Sequence, residues 1–287
     1  MARTLEPYQL VERSIITKYR KVLWNPFIEA VKRYEMIQPG DRIAVCISGG
    51  KDSMLLAKLM QQLQKHSDFP FELVFLVMDP GYNELNRRKI ESNAALLNIP
   101  VTIFESDIFE VADSAGKSPC YLCARMRRGY LYSRAQELGC SKIALGHHFN
   151  DVVETTLISM FYGSQLQAML PKLHSTNFKG MTLIRPLYCV HEDDIIAWAH
   201  DNSLEFIQCA CRLTERSAAD TGDVNVSKRK EIKLLLRRLR QGNPNIEKSI
   251  FNSIHAVALD TMPGFKTGGV EHSFLERFNA MESTEDE

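Results

Sequence analysis

Apolar residues between 8 and 37 recur every three or four positions: Val11, Ile15, Tyr19, Val22 and Leu23, then Phe27, Val31 and Tyr34. That spacing predicts a helical N-terminal segment. A turn, Gln38-Pro-Gly-Asp41, precedes the apolar run 42–47, which has the length and β-branched content of a buried strand. The hexapeptide Ser48-Gly-Gly-Lys-Asp-Ser53 then opens onto a helical pattern over 54–60. Further strands are predicted at 71–77, 101–104 and 142–145, and further helices at 84–97, 124–138 and 150–161. Alternation of this kind predicts an α/β fold, a parallel sheet with helices on both faces and helical additions at both ends. Ligands in such sheets bind beyond the carboxyl ends of the strands. Ser48, Asp79 and Gly146 each follow a strand end and are expected to line one crevice.

Beyond residue 200 the pattern changes to helices at 227–241 and 244–258. The expected division is an N-terminal helical segment (1–38), an α/β domain that holds the Ser48–Ser53 loop (39–200), a helical extension (201–280) and an acidic tail (281–287).

Ser48, Gly49, Gly50, Lys51, Asp52 and Ser53 have the chemistry of a phosphate site. Two glycines allow a tight turn and close backbone approach. The following helix start presents unpaired N–H groups and a partial positive charge. Lys51 adds a cation, the two serines add donors, and Asp52 is a candidate Mg²⁺ ligand. The Walker A pattern, Gly-x-x-x-x-Gly-Lys-Ser/Thr, is absent.

Composition narrows the class. Among 287 residues, Lys+Arg and Asp+Glu number 35 each, so net charge points to no partner. The cations cluster nonetheless, at Arg125, Arg127 and Arg128, at Lys228, Arg229 and Lys230, and at Arg237, Arg238 and Arg240. Such clusters form either a track for nucleic acid or solvated helix faces. No apolar stretch is long enough to span a bilayer, and the first residues lack a signal-peptide core. A cytoplasmic protein without a membrane partner is expected.

Seven cysteines, an odd number, argue against a disulfide framework. Cys120-Tyr-Leu-Cys123 and Cys209-Ala-Cys211 are the clustered ones. Their spacing alone leaves three uses open: an iron–sulfur cluster, a zinc site or a redox pair. Cys46, Cys140 and Cys189 read as structural.

Ser48–Ser53 after an apolar strand resembles the PP-loop of the ATP-pyrophosphatases, which cleave ATP between the α and β phosphates and adenylate a substrate. Leu145-Gly-His-His-Phe-Asn-Asp-Val-Val-Glu-Thr155 resembles a second block of that class. Asn150 stands where the class has the first Asp, so any catalytic or metal role falls to Asp151. Cys120-Tyr-Leu-Cys-Ala-Arg-Met-Arg-Arg-Gly129, Met160-Phe-Tyr-Gly163 and Ile184-Arg-Pro-Leu187 resemble the tRNA 2-thiocytidine synthetase family, over roughly residues 10–215. The resemblance implies ATP-dependent thiolation of a tRNA pyrimidine with ATP, Mg²⁺ and a [4Fe–4S] cluster. It implies Cys120, Cys123 and Cys211 as cluster ligands, with Cys209 as the alternate. Lys51, Asp151 and Cys211 are the implied catalytic residues, and Asp79, Gly146 and His147 join the loop around the nucleotide. Arg127, Arg128, Arg185, Lys228, Arg229 and Arg237 are the candidate tRNA contacts. A sulfur donor, either a cysteine desulfurase or free sulfide, is implied. The family includes dimers, which makes a homodimer an expected form of assembly.

Overall fold

The computed structural model describes residues 5–106, 108, 119–207 and 228–285. The chain divides into two compact units, Met1–Lys233 and Leu234–Glu287.

The first unit holds a six-stranded sheet: β1 (Arg42–Ile47), β2 (Glu72–Asp79), β3 (Val101–Glu105), β4 (Lys142–Ala144), β5 (Lys172–His174) and β6 (Thr182–Ile184). Their spatial order is β3-β2-β1-β4-β6-β5. Every neighbouring pair is parallel except β5 with β6. β1 lies at the centre, and all its residues after Arg42 are buried. This two-sided burial explains its unbroken apolar run.

The N-terminal helix predicted over 8–37 is interrupted. α1 (Pro7–Ile16) ends at Thr17, a π-helical turn spans Arg20–Trp24, and α2 (Asn25–Arg33) follows. Pro26 has no N–H with which to continue an α-helical ladder. The chain enters it through the wider turn, in which Asn25 N–H donates to Arg20 O. Buried Val11, Ile15, Leu23, Phe27 and Val31 keep the apolar face despite the break.

α3 (Lys51–His66) follows β1, α4 (Glu84–Leu96) follows β2, and α5 (Pro119–Glu137) precedes β4. α5 starts five residues earlier than the sequence pattern predicts, so Cys120 and Cys123 lie within its first turns. α6 (Phe149–Gly163) follows β4, and α7 (Glu192–Asp201) follows β6. α8 (Lys228–Gly242) begins in the first unit and ends in the second. The second unit also contains α9 (Ile246–Ser253), the hairpin β7 (Gly264–Thr267) and β8 (Val270–Ser273), and α10 (Phe274–Glu285). α9 is shorter at both ends than the predicted 244–258.

From β1 the chain winds outward to β2 and β3 on one side, then crosses back to β4 on the other side of β1. The carboxyl ends of β1 and β4 therefore flank a topological switch point, where open α/β sheets form their ligand crevice. The loop Ser48–Gly50 follows β1 there, and Leu145–His148 follows β4.

Candidate functional site at the strand switch point

Gly49 has φ +84°, which side-chain-bearing residues rarely adopt. A Cβ there would also lie 2.6 Å from Ile90 Cγ1. Gly50 leads into α3 without a side-chain cap, which leaves the helix N-terminus without a competing side chain. Inside the loop, Ser48 N–H donates to Ser53 Oγ at 3.1 Å, and Ser53 Oγ donates to Gly50 O at 3.0 Å. These bonds hold the loop in a curve around the first turn of α3. Opposite, Gly146 presses backbone against backbone: a Cβ would meet Ser53 N at 3.1 Å and Asp52 C at 3.2 Å. The β1 and β4 loops thus touch through a residue with no side chain.

Lys51 Nζ donates to Glu192 Oε1 at 3.1 Å and to Asp52 Oδ2 at 3.3 Å. Burial would lower its pKa, but Asp52 and Glu192 outweigh burial and raise it, so the ammonium is held charged. Asp52 Oδ1 is buried and makes no hydrogen bond, although Lys51 Nζ lies 3.2 Å away and His148 Nε2 3.9 Å away.

His148 starts α6, where its backbone N–H donates to Asp151 Oδ2 at 3.1 Å, one half of a capping box. Its buried Nδ1 has no hydrogen-bond partner. Nε2 stands 3.6 Å from Asp151 Oδ2 and 3.9 Å from Glu192 Oε1. Asn150, the departure from the class pattern, accepts from Glu192 N–H at 2.9 Å through Oδ1. It thereby fixes the start of α7 and the placement of Glu192.

The first turns of α8 complete the ring. Arg229 Nη1 donates to Asp151 Oδ1 at 3.2 Å, and Arg229 Nε lies 3.4 Å from Glu154 Oε2. Lys233 Nζ donates to Glu192 Oε2 at 3.0 Å and lies 3.6 Å from Glu154 Oε1. Burial raises Glu154 to about 7 even against Lys233 and Arg229, so near neutral pH its carboxyl is shared between protonated and ionised forms. Burial would raise Glu192 as well, but hydrogen bonds from Lys233 and Lys51 and the charge of Lys51 hold it at about 2.

A carboxylate with a depressed folded pKa stabilises fully above its ordinary value, 4.5 here, and loses that contribution as pH falls toward 2. Glu192→Gln is expected to lower the thermal midpoint at neutral pH and to flatten its fall between about pH 4.5 and 2. Thermal melts across that range check it. A variant with the wild-type acid limb contradicts the assignment.

Other predicted residues lie around this ring. His147 is mostly buried, and burial, then Arg185, push its pKa down to about 4. Its Nδ1 accepts from Arg185 Nε at 3.4 Å. Asp79 is buried, and its Oδ1 accepts from the N–H groups of Gly81 (2.9 Å) and Tyr82 (2.7 Å). Arg87 donates to Oδ2 at 2.8 Å. A cleft of about 370 Å³ opens beside it, lined by Tyr82, Glu84, Arg87, Glu105 and Ser106. Arg127, on α5, donates to Tyr82 Oη at 3.3 Å, and Tyr82 Oη lies 3.5 Å from Ser48 O. Arg128 and Lys228 are exposed, and Lys228 Nζ sits 4.8 Å over the Tyr162 ring. Arg229 is exposed as well and donates to Asp151. Arg237 is exposed on the second unit. Cys120 and Cys123 are one helical turn apart on α5, and Cys209 and Cys211 lie outside the described residues. Cys46 and Cys140 are buried in the sheet core with Leu76, Tyr132 and Ile143.

Sequence reasoning missed Glu154, Glu192, Lys233 and the central place of His148. Glu154 stood in the quoted Glu-Thr pair, and Glu192 opens the acidic run Glu192-Asp-Asp194 at a helix start. Nothing local in the sequence joins Lys233 to either. Among the described residues, no group of three or more His, Cys, Asp or Glu is arranged to hold a metal by itself. Among the described residues, no helix is long and apolar enough to cross a membrane.

The PP-loop domain family matches residues 17–214. The chain is 38% identical over 234 residues to the tRNA-cytidine(32) 2-sulfurtransferase of Alkalilimnicola ehrlichii, spanning 79% of this chain and 70% of that one. It is 35% identical over 241 residues to the protein of the same name from Geobacter metallireducens, spanning 83% and 90%. In structure it resembles the U34-tRNA thiolase NcsA from Methanococcus maripaludis with its [4Fe–4S] cluster, with a TM-score of 0.63 over 84% of this chain and 80% of that one. At 19% identity that likeness concerns the fold. A PP-loop match over most of the chain and two relatives above one-third identity agree with the loop at the switch point: the chain belongs to the PP-loop family, on the branch that holds the tRNA-cytidine(32) 2-sulfurtransferases.

Proposed function

We propose that this protein thiolates a cytidine of tRNA at O2, using ATP to turn the oxygen into a leaving group. The observation that carries this reading is the uncapped N-terminus of α3, with Lys51 and Asp52 in its first turn, facing the Gly146–Asp151 turn across the switch point. The names of the relatives supply the substrate class.

ATP binds with its phosphates at Ser48–Ser53, and Asp79 and the cleft beside it border the nucleotide. Helix N–H groups and Lys51 neutralise charge on the departing pyrophosphate. Lys51 must exchange its Glu192 contact for phosphate, and Lys233 then remains to hold Glu192. Asp52 Oδ1, buried without a hydrogen bond, suits Mg²⁺, which takes one or two carboxylates plus phosphate oxygens. The pyrimidine O2 attacks the α-phosphorus, the α–β bridging bond breaks and pyrophosphate leaves. Sulfur at the sulfide level then attacks C2, and the C2–O bond breaks as AMP departs with the oxygen. No electrons are gained or lost.

Cys120 and Cys123, one turn apart on α5, with Cys211, form a soft thiolate set that fits an iron–sulfur cluster. When bound, the cluster supplies an iron able to carry the incoming sulfur. The donor upstream is a cysteine desulfurase or free sulfide, and the working assembly is a homodimer in the cytoplasm. Arg127, Arg128, Arg185, Lys228, Arg229 and Arg237 supply cations for the RNA backbone. Residues 39–200 carry the adenylating chemistry.

Pyrophosphate release from ATP should require tRNA and follow its concentration to saturation. Release that is indifferent to tRNA would redirect the reading to a small-molecule acceptor.

A further inference from the structure

The last turn of α6 and the segment after it expose large apolar side chains that fold and mechanism leave unused: Met160 is 45% exposed, Phe161 55%, Leu166 52% and Leu170 60%. Apolar stretches left in solvent usually mark a contact surface. Their place in the fold is informative. The segment runs into β5, whose first residue, Lys172, pairs with Ile184, the last residue of β6. Its last residues, Leu170 and Pro171, therefore lie at the carboxyl edge of the sheet, the edge that carries the PP-loop and the Gly146–His148 turn, while Met160 and Phe161 stand at the opposite end of α6 from His148.

Arg185 ties the segment to the site. Its guanidinium donates to Leu170 O and, through Nε, to His147 Nδ1 at 3.4 Å. Its backbone N–H donates to Pro171 O at 2.9 Å. Among the described residues Arg185 forms no ion pair, and its side-chain partners are a carbonyl and an imidazole. Lys228 sits 4.8 Å over the Tyr162 ring at the other end, while Tyr162 Oη donates to Glu231. The surface is thus apolar and aromatic with a cation at each end and no exposed carboxylate from the 160–171 segment itself. Single-stranded nucleic acid fits that chemistry, with bases on apolar and aromatic faces and phosphates on the cations.

We propose that Met160, Phe161, Leu166 and Leu170 receive unstacked bases of the substrate RNA beside the target cytidine, with Arg185 and Lys228 on the flanking phosphates. The proposal rests on the tRNA-thiolating reading and adds the surface by which the loop is held. A double helix keeps its base faces stacked and gains nothing from it, so the surface selects single-stranded loops.

The test uses the full chain, purified without oxygen, and unfractionated tRNA lacking thiolation. Phe161→Ala is an exposed substitution and should keep the thermal midpoint. Its Kd for tRNA, by fluorescence anisotropy, should rise about tenfold, the effect of losing one base–aromatic stack. The slope of log affinity against log salt should stay unchanged, whereas Lys228→Ala should reduce it by about one. Oligocytidylate should compete with tRNA for wild type and lose about as much as tRNA does in Phe161→Ala, while duplex RNA of equal length is unaffected. Leu166→Ser repeats the test on the second apolar contact. Wild-type Kd in both variants overturns the proposal and leaves the thiolation reading standing. So does sedimentation showing that the two substitutions abolish self-association while tRNA binding persists, since the surface is then a contact between copies. If the wild type itself does not bind tRNA, both readings fall together.

Discussion

Lys51→Ala is expected to lower tRNA-dependent pyrophosphate release by about a hundredfold to a thousandfold. That is the usual cost of removing one preorganised group that stabilises transition-state charge. Lys51 stands in the first turn of α3, where helix N–H groups already favour an anion. Its ammonium is held charged by Asp52 and Glu192 against the effect of burial. The fold should survive, because Glu192 keeps its 3.0 Å contact with Lys233 when Lys51 is gone. The loss should fall on kcat as well as on the KM for ATP, since the charge on pyrophosphate grows as the α–β bond breaks. Steady-state kinetics with saturating tRNA separate the two. A Lys51→Ala enzyme with wild-type kcat would place the chemistry away from this loop.

Cys123→Ala is expected to separate the two halves of the reaction. Thiolated product should be lost, while tRNA-dependent pyrophosphate release stays within a few-fold of wild type. In the proposed reaction adenylation would draw on Ser48–Ser53, a loop held by its own hydrogen bonds and by Gly146, whereas sulfur delivery would draw on the cysteines of α5. Bound iron and the visible absorption band should fall with the product. The link from α5 to the loop, Arg127 through Tyr82 to Ser48 O, leaves room for a small effect on adenylation. Retention of both iron and product in Cys123→Ala would remove this cysteine from the sulfur step. Loss of pyrophosphate release as complete as that in Lys51→Ala would show that the two halves are not separable.

The sheet was legible because its central strands are buried on both faces and carry continuous apolar runs, as in β1 and the buried end of β2. The phosphate loop was legible because its chemistry is local: two glycines, a lysine and two hydroxyls between a strand and a helix. β5 and β6 were not read, since three residues give too little periodicity. The N-terminal helix was read as continuous because an apolar face persists through a π turn, and only Pro26 marked the break. The ring of charge was the least legible part. Glu154, Glu192 and Lys233 come from three helices separated by long stretches of chain, and their pairing exists only in three dimensions. Asn150 shows the same limit. As a residue type it was a departure from the class pattern, while its side chain proves to cap α7 and set Glu192 in place.

The most direct measurement is mass spectrometry of nucleosides from thiolation-free tRNA incubated without oxygen with the protein, MgATP and sulfide. The expected result is 2-thiocytidine, formed one for one with AMP and absent when ATP is omitted. AMP and pyrophosphate released without any thiolated nucleoside, or sulfur found on a uridine in place of cytidine, would contradict the proposed activity.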